Sequence, residues 1–212
     1  MKHLYLLSFL LIFCTSCQRK SEDTFDYGQI DKAIYINKFF NLKFPIPEGW
    51  HVQSKEQKEA SLAESKEILS GENEELREIL NTADVTSVNL LTAFQFEVGS
   101  PVDFSPGITI VAENIAASPG IKTGRDYLFN VTKLMEMAQV NYVINPEINS
   151  TVIDDKTFYI MTTTTELEGT EIKQTYYTTV YNRFALNLIT VTSNKEQEDM
   201  MLKIVNAADF NK

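Results

Sequence analysis

The chain is predicted to fold as an α+β domain, an antiparallel β-sheet flanked by helices in an α/β/α sandwich. Two observations predict it. In the C-terminal third, runs rich in Thr, Tyr and Ile (151–153, Lys156–Leu167, Thr170–Tyr181 and Phe184–Thr192) are separated by the two-residue steps Asp154-Asp155, Glu168-Gly169 and Asn182-Arg183. Steps that short force neighbouring strands to pair antiparallel, and the composition suits a half-buried pleated surface. Two other stretches carry apolar stripes at helical spacing. One runs through Tyr127, Leu128, Val131, Leu134, Met135 and Ala138, the other through Met200, Met201, Ile204, Val205 and Ala208. Such stripes need an apolar surface to cover, and the faces of the sheet supply it.

The remaining elements follow in chain order. Ile34 and Ile36, then Leu42, Phe44 and Ile46, alternate with polar residues and predict two strands joined by a turn at residues 37–41. Pro45, Pro47 and Gly49 punctuate the second, and Trp50 and Val52 resume a strand. Trp50 is expected to be largely buried, with truncation to Ala costing about 3–5 kcal/mol. Residues 54–70 are helical by composition, with Ser54 and Gln57 spaced as a capping box and a thin apolar face. Gly71 breaks that helix, and 72–83 continues with Leu76, Ile79, Leu80 and Ala83 on one face. This hydrophilic pair is expected to pack shallowly on the outside. Residues 88–98 read as a strand covered on both faces, 108–113 as the next, Thr123 as the opening of a helix, and 141–144 as a short strand. Ser193 with Glu196 is expected to cap the last helix.

The N-terminus carries an address. Lys2 precedes an almost wholly apolar run over residues 4–13, followed by Thr15, Ser16 and Cys17. A basic start, a short apolar run and small residues make a secretory signal peptide. The run is too short to span a bilayer. A cysteine placed directly after small residues resembles the lipobox of bacterial lipoproteins, with Cys14 where an aliphatic residue is usual. The resemblance implies cleavage before Cys17 and lipidation of its sulfur. The predicted organisation is a signal peptide over 1–16, a tether over 17–33 that holds the domain off the membrane, and an α+β domain over 34–212. No aspartate follows Cys17, which favours the outer membrane where a second membrane exists.

Composition narrows the function. The chain has 212 residues, with 19 basic and 29 acidic side chains and a net charge of −10. Lys2 leaves with the leader, so the mature chain is more acidic still. Such a domain repels phosphate backbones, so no nucleic-acid partner is expected. Both cysteines fall in or at the end of the leader, which leaves no thiol for catalysis, zinc or a disulfide. His51 is the single mature histidine, in a predicted strand, and no Gly-x-Ser-x-Gly elbow occurs. Asp154-Asp155 falls in a turn, where acids ordinarily serve the turn itself. No catalytic residue, metal or cofactor is expected.

Residues 35–52 and the ending Ala208-Asp209-Phe210 carry a wider resemblance. A strand pair leading into Pro47-Glu48-Gly49-Trp50 resembles the opening of the PsbP-like superfamily, and the long strand, capped helix and Ala-Asp-Phe ending resemble its close. The resemblance implies an antiparallel sheet with helices and a binding or assembly role. The expected function is therefore that of a lipid-anchored envelope protein without catalysis, bound to the membrane through Cys17 and to an unidentified envelope protein. Phe39, Phe40 and Trp50 are the candidate partner-binding residues. The alternative is a carrier of a small apolar ligand between sheet and helix, motivated by the methionines of the two best helices. A hydrolase using His51 ranks last.

Overall fold

A computed structural model describes residues 25–167 and 169–211. Cys17, the expected lipidation site, and the leader lie outside the described residues.

The chain begins with a three-stranded sheet, β1 (Gln29–Asp31), β2 (Ile34–Asn37) and β3 (Leu42–Pro45), in that order. Then come β4 (His51–Val52), helices α1 (Lys55–Ser70) and α2 (Glu74–Thr86), and strands β5 (Ser87–Phe94) and β6 (Gly107–Asn114). Helix α3 (Gly124–Met137) leads into β7 (Val143–Ile144), β8 (Asn149–Ile153), β9 (Lys156–Leu167), β10 (Thr170–Tyr181) and β11 (Phe184–Thr192), and α4 (Lys195–Asn206) closes the chain. The eight-stranded sheet has the order β4-β5-β6-β11-β10-β9-β7, with β8 also paired to β9. Every pairing is antiparallel. The fold is α+β, a sheet flanked by helices, as the turns and stripes predict.

Strand alternation assigns the faces. Leu186 and Leu188 of β11 share one face with Ile110, Ala112 and Tyr177, and this face meets Val205, Ala208 and Phe210 at the C-terminus and Tyr35, Leu42 and Phe44 of the small sheet in one apolar cluster. The opposite face carries Asn89, Thr92, Thr109, Val111, Glu113, Met161, Thr178 and Asn187 by the same registers. Helices α2 and α3 contact the strands of this sheet, and α3 reaches the polar face through Tyr127 and Thr132, which bond Glu113 and Met161. The two faces thus differ in chemistry: one is a continuous apolar core, the other a polar layer closed by internal hydrogen bonds such as Thr178 to Asn187 at 2.7 Å.

The capping signals are borne out at two helices. Ser54 and Gln57 form the reciprocal capping box of α1, and Thr123 with Asp126 forms that of α3. At α4 the cap is Asn194, whose side chain accepts from the Gln197 amide, and not Ser193. Ser193 instead bonds the Gln197 side chain through its amide and hydroxyl.

Four further expectations are corrected. The first strands form a separate small sheet instead of joining the large one. Their inward face is Tyr35 and Asn37, while Ile34 is 39 % exposed. Tyr35 buries the larger surface, and its polar end is satisfied: its hydroxyl donates to the Tyr27 carbonyl at 2.9 Å, and Asn37 donates to the Asp26 carbonyl at 2.7 Å. The described part of the segment read as a tether, residues 25–33, contains a strand and packs against the domain. Residues 29–31 pair with β2, and Phe25 packs against Phe39 and Phe184 with ring centroids 5.1 Å apart in each pair. The strand read over 88–98 ends at Phe94 and contains a register shift between Asn89 and Leu91, so Leu90 and Leu91 both enter the core. Trp50 is half-buried at the rim of the core instead of largely buried.

Candidate functional site

The residues singled out from the sequence separate into two places. Phe39 and Phe40 sit 4.9 Å apart in an aromatic cluster with Phe25, Tyr181 and Phe184. Phe40 is 1 % exposed, so its ring is part of the core and out of a partner's reach. Phe39 is half-buried in the same cluster. Trp50 lines a different surface, a groove of about 260 Å³ beside β4. His51, Val52, Phe96, Glu97 and Val98 line it too. His51 is exposed, and its backbone pairs with Phe94. Val98 is 68 % exposed, and Val52 and Phe96 are exposed as well, beside the polar side chains of Gln53, Gln57 and Glu97.

The groove adjoins a cavity of about 330 Å³ under the helix pair, and Gln53 and Phe94 line both. The cavity exists because of the sequence of α1. Lys58, Ser61, Leu62 and Ser65 fall at i, i+3, i+4 and i+7 and so share one face, and all four line the cavity. A helix that packs tightly on a sheet carries an apolar stripe there. This one carries a lysine and two serines, and no apolar side chain of α1 is buried. Helix α2 holds the pair in place with the buried Leu76.

The sheet side of the cavity is set by the irregularity in β5. Asn89 and Thr92 both face it, beside Thr109 and Val111 of β6. Such bulges re-aim side chains and recur beside functional sites. The Asn89 amide donates to the Thr92 hydroxyl at 2.9 Å, and the hydroxyls of Thr92 and Thr109 lie 3.3 Å apart. The Lys58 ammonium donates to the Asn89 carbonyl at 3.1 Å. Burial lowers the Lys58 pKa, because withdrawal from water disfavours the charged form. The other ammonium nearby, that of Lys66, is paired with Asp84. Phe94 lies over Gly107, where a Cβ would meet its ring at 2.3 Å. Glycine at that point lets the ring lie flat across the neighbouring strand.

The sequence signal for this cavity was the thin apolar face of α1. The cavity residues themselves, Lys58, Asn89 and Thr92 above all, were not singled out, since each type is ordinary on a surface helix or a strand. Asp154 takes a left-handed position in its turn, at φ 44°, while its side chain reaches outside the turn. Its carboxylate accepts from the Phe210 amide at 2.5 Å and from the Asn211 side chain at 2.9 Å, tying down the C-terminus. Among the described residues no cluster of three His, Cys, Asp or Glu side chains is placed to hold a metal ion. No helix among them is long and apolar enough to cross a membrane.

No family model and no curated protein matches the chain. Solved structures similar to it include LpqN and PA94. LpqN of Mycobacterium tuberculosis, involved in cell envelope biogenesis, is 10 % identical with a TM-score of 0.40, over 79 % of this chain and 82 % of that one. PA94 of Pseudomonas aeruginosa, of unknown function, is 10 % identical with a TM-score of 0.41, over 57 % of this chain and 78 % of that one. Likenesses this remote carry no functional argument.

Proposed function

We propose that the protein is a lipid-anchored binding protein of the bacterial cell envelope, held to a membrane through Cys17 and acting on an envelope protein without catalysis. The observation that carries this reading is the leader: Lys2, the apolar run over 4–13, then Thr15, Ser16 and Cys17. Acyl chains on Cys17 would hold the membrane, since each buried CH₂ contributes about 0.8 kcal/mol and two chains suffice for stable anchoring. The PsbP-like resemblance of residues 35–52 and of Ala208-Asp209-Phe210 supports a binding role. The tether is short. Phe25, already packed in the aromatic cluster, lies eight residues after Cys17, and an extended chain covers about 3.3–3.6 Å per residue. The domain then works within about 30 Å of the bilayer, with the β1–β3 end nearest.

The surface offered to a partner is the groove at Trp50, His51, Phe96 and Val98, with apolar side chains exposed beside an aromatic anchor. His51 is read as a wall of that groove and not as a base. The test is complementation of a deletion strain by His51→Ala at matched protein abundance. Retained function is expected. Loss of function with the protein folded and abundant would put the hydrolase reading first.

A second reading, a carrier of a small ligand between sheet and helix, is favoured by one observation, the cavity of about 330 Å³ under α1. Ligand sites begin at about 300 Å³.

A further inference from the structure

The cavity under α1 sets the Lys58 ammonium in a mainly apolar wall, where a purely apolar ligand would leave it without a counter-ion. No methionine lines it; Met201 is buried in the core instead. Most of its accessible wall is apolar, with Leu62, Phe94 and Val111 contributing, and Lys58, Asn89 and Thr92 set polar groups into it. We propose that this cavity binds a small organic carboxylate, whose anionic group pairs with the ammonium of Lys58. The proposal rests on the carrier reading and changes the chemical class of its ligand.

Three observations carry it. The first is charge. Lys66 and Asp84 neutralise each other, which leaves Lys58, among the described residues, as the charge of the cavity with no ion-pair partner. The Lys58 ammonium has three donors and gives one to the Asn89 carbonyl. That carbonyl is a neutral partner, so the ammonium bears the cost of its partial burial without a counter-ion. A bound anion would supply the missing charge. The fall in its pKa on burial agrees with this.

The second is rigidity. Thr92 is 4 % exposed and is tied to Asn89 and Thr109 by its hydroxyl. The backbone amide of Gln53 in turn bonds the Thr92 carbonyl at 2.9 Å. These bonds fix the irregular stretch of β5, and with it the carbonyl that aims Lys58. A charged group held in place before its ligand arrives loses little freedom on binding.

The third is size and the match of the body. The cavity sits at the small end of ligand sites. Leu62, Phe94 and Val111 offer contact to a short apolar body, and Ser61, Ser65 and Gln53 offer hydrogen bonds to an amide or hydroxyl on it. A single lysine with no ion-pair partner among the described residues, and no arginine in the wall, suits one carboxylate. A phosphate carries more charge and is better matched by a guanidinium fork or several cations. The chain's net charge of −10 disfavours a multiply charged anion further.

The test titrates the full chain, purified in detergent, with a panel of small monocarboxylates from acetate to hippurate, each beside its neutral primary amide. Saturation-transfer NMR and calorimetry read binding. Carboxylates are expected to bind about tenfold or more tightly than their amides, the scale of one charge-assisted contact. Lys58→Met is expected to reduce the carboxylates to the level of the amides, with Lys58→Arg retaining much of the difference. Lys58→Gln serves if the Met variant does not fold, as judged by circular dichroism. Lys195→Met, on the other face of the sheet, is expected to change nothing. Equal binding of carboxylate and amide, or undiminished carboxylate binding by Lys58→Met, overturns the proposal and leaves the carrier reading in place. Binding of neither class overturns both.

Discussion

Tyr127 on α3 donates its hydroxyl hydrogen to the carboxylate of Glu113 on β6 at 2.6 Å, a charge-assisted contact between the helix and the sheet. Burial, first, and then the charge of Glu113 push the Tyr127 pKa well above its ordinary 10.0. A raised tyrosine pKa contributes stability that is fully present below pH 10 and is lost as pH rises through the folded value. Tyr127→Phe removes the donor and leaves Glu113 without it. Urea unfolding should show a loss of about 1–3 kcal/mol. A variant as stable as the parent would mean that water replaces the hydroxyl at no cost.

Gly124 sets how closely α3 approaches the sheet. A Cβ there would fall 2.1 Å from the Thr178 carbonyl oxygen, and backbone cannot yield as a side-chain tip can. Gly124→Ala should therefore destabilise the protein by about 1–3 kcal/mol, the usual cost of overpacking, despite the better helix propensity of alanine. Thermal unfolding measures it, and an unchanged or raised midpoint would contradict this packing.

Arg183 occupies a left-handed position at φ 64° in the hairpin between β10 and β11, beside Asn182 at φ 47°. Both values belong to the primed turn that two-residue hairpins require. Arginine is strained there and glycine is not. Arg183→Gly, which makes the turn Asn-Gly, should add about 1 kcal/mol of stability. Denaturant midpoints decide this, and a loss of stability would show that the arginine side chain contributes more than its backbone strain.

The capping box of α3 should also shape the acid limb of stability. Hydrogen bonds from the Thr123 side chain and from the Lys122 and Thr123 amides hold the Asp126 pKa below its ordinary 3.8. A depressed carboxylate pKa contributes stability above its unfolded value, and that contribution is lost as pH falls through the folded value. Unfolding followed from neutral pH to below pH 4 should therefore fall more gently for Asp126→Asn than for the parent. Parallel curves would show that the carboxylate's charge does not matter to the cap.

The parts of this fold that were legible in the sequence are those fixed locally. Asn182-Arg183 and Asp154-Asp155 announce their hairpins, Ser54 with Gln57 announces α1, and the stripe from Tyr127 to Ala138 announces the face of α3. What was not legible depended on distant partners. Tyr35 faces inward because Tyr27 and Asp26 lie across the small sheet to satisfy it and Asn37. Asn194 and Ser193 compete for one cap, and either spacing fits the sequence. Phe40 is core because Phe25, Phe39, Tyr181 and Phe184 close around it. The cavity under α1 was legible only as a missing apolar stripe. Its chemistry depends on an irregularity in β5, which period-two patterning does not show.

The central claim, that a lipid on Cys17 holds this domain at a membrane, is tested most directly by labelling cells with radioactive palmitate. The parent and Cys17→Ser are then compared for label and for membrane fractionation. The parent protein should carry the label in the membrane fraction, and Cys17→Ser should carry none and appear as soluble protein or as uncleaved precursor. Label retained on Cys17→Ser, or an unlabelled parent protein found in the soluble fraction, would contradict the claim.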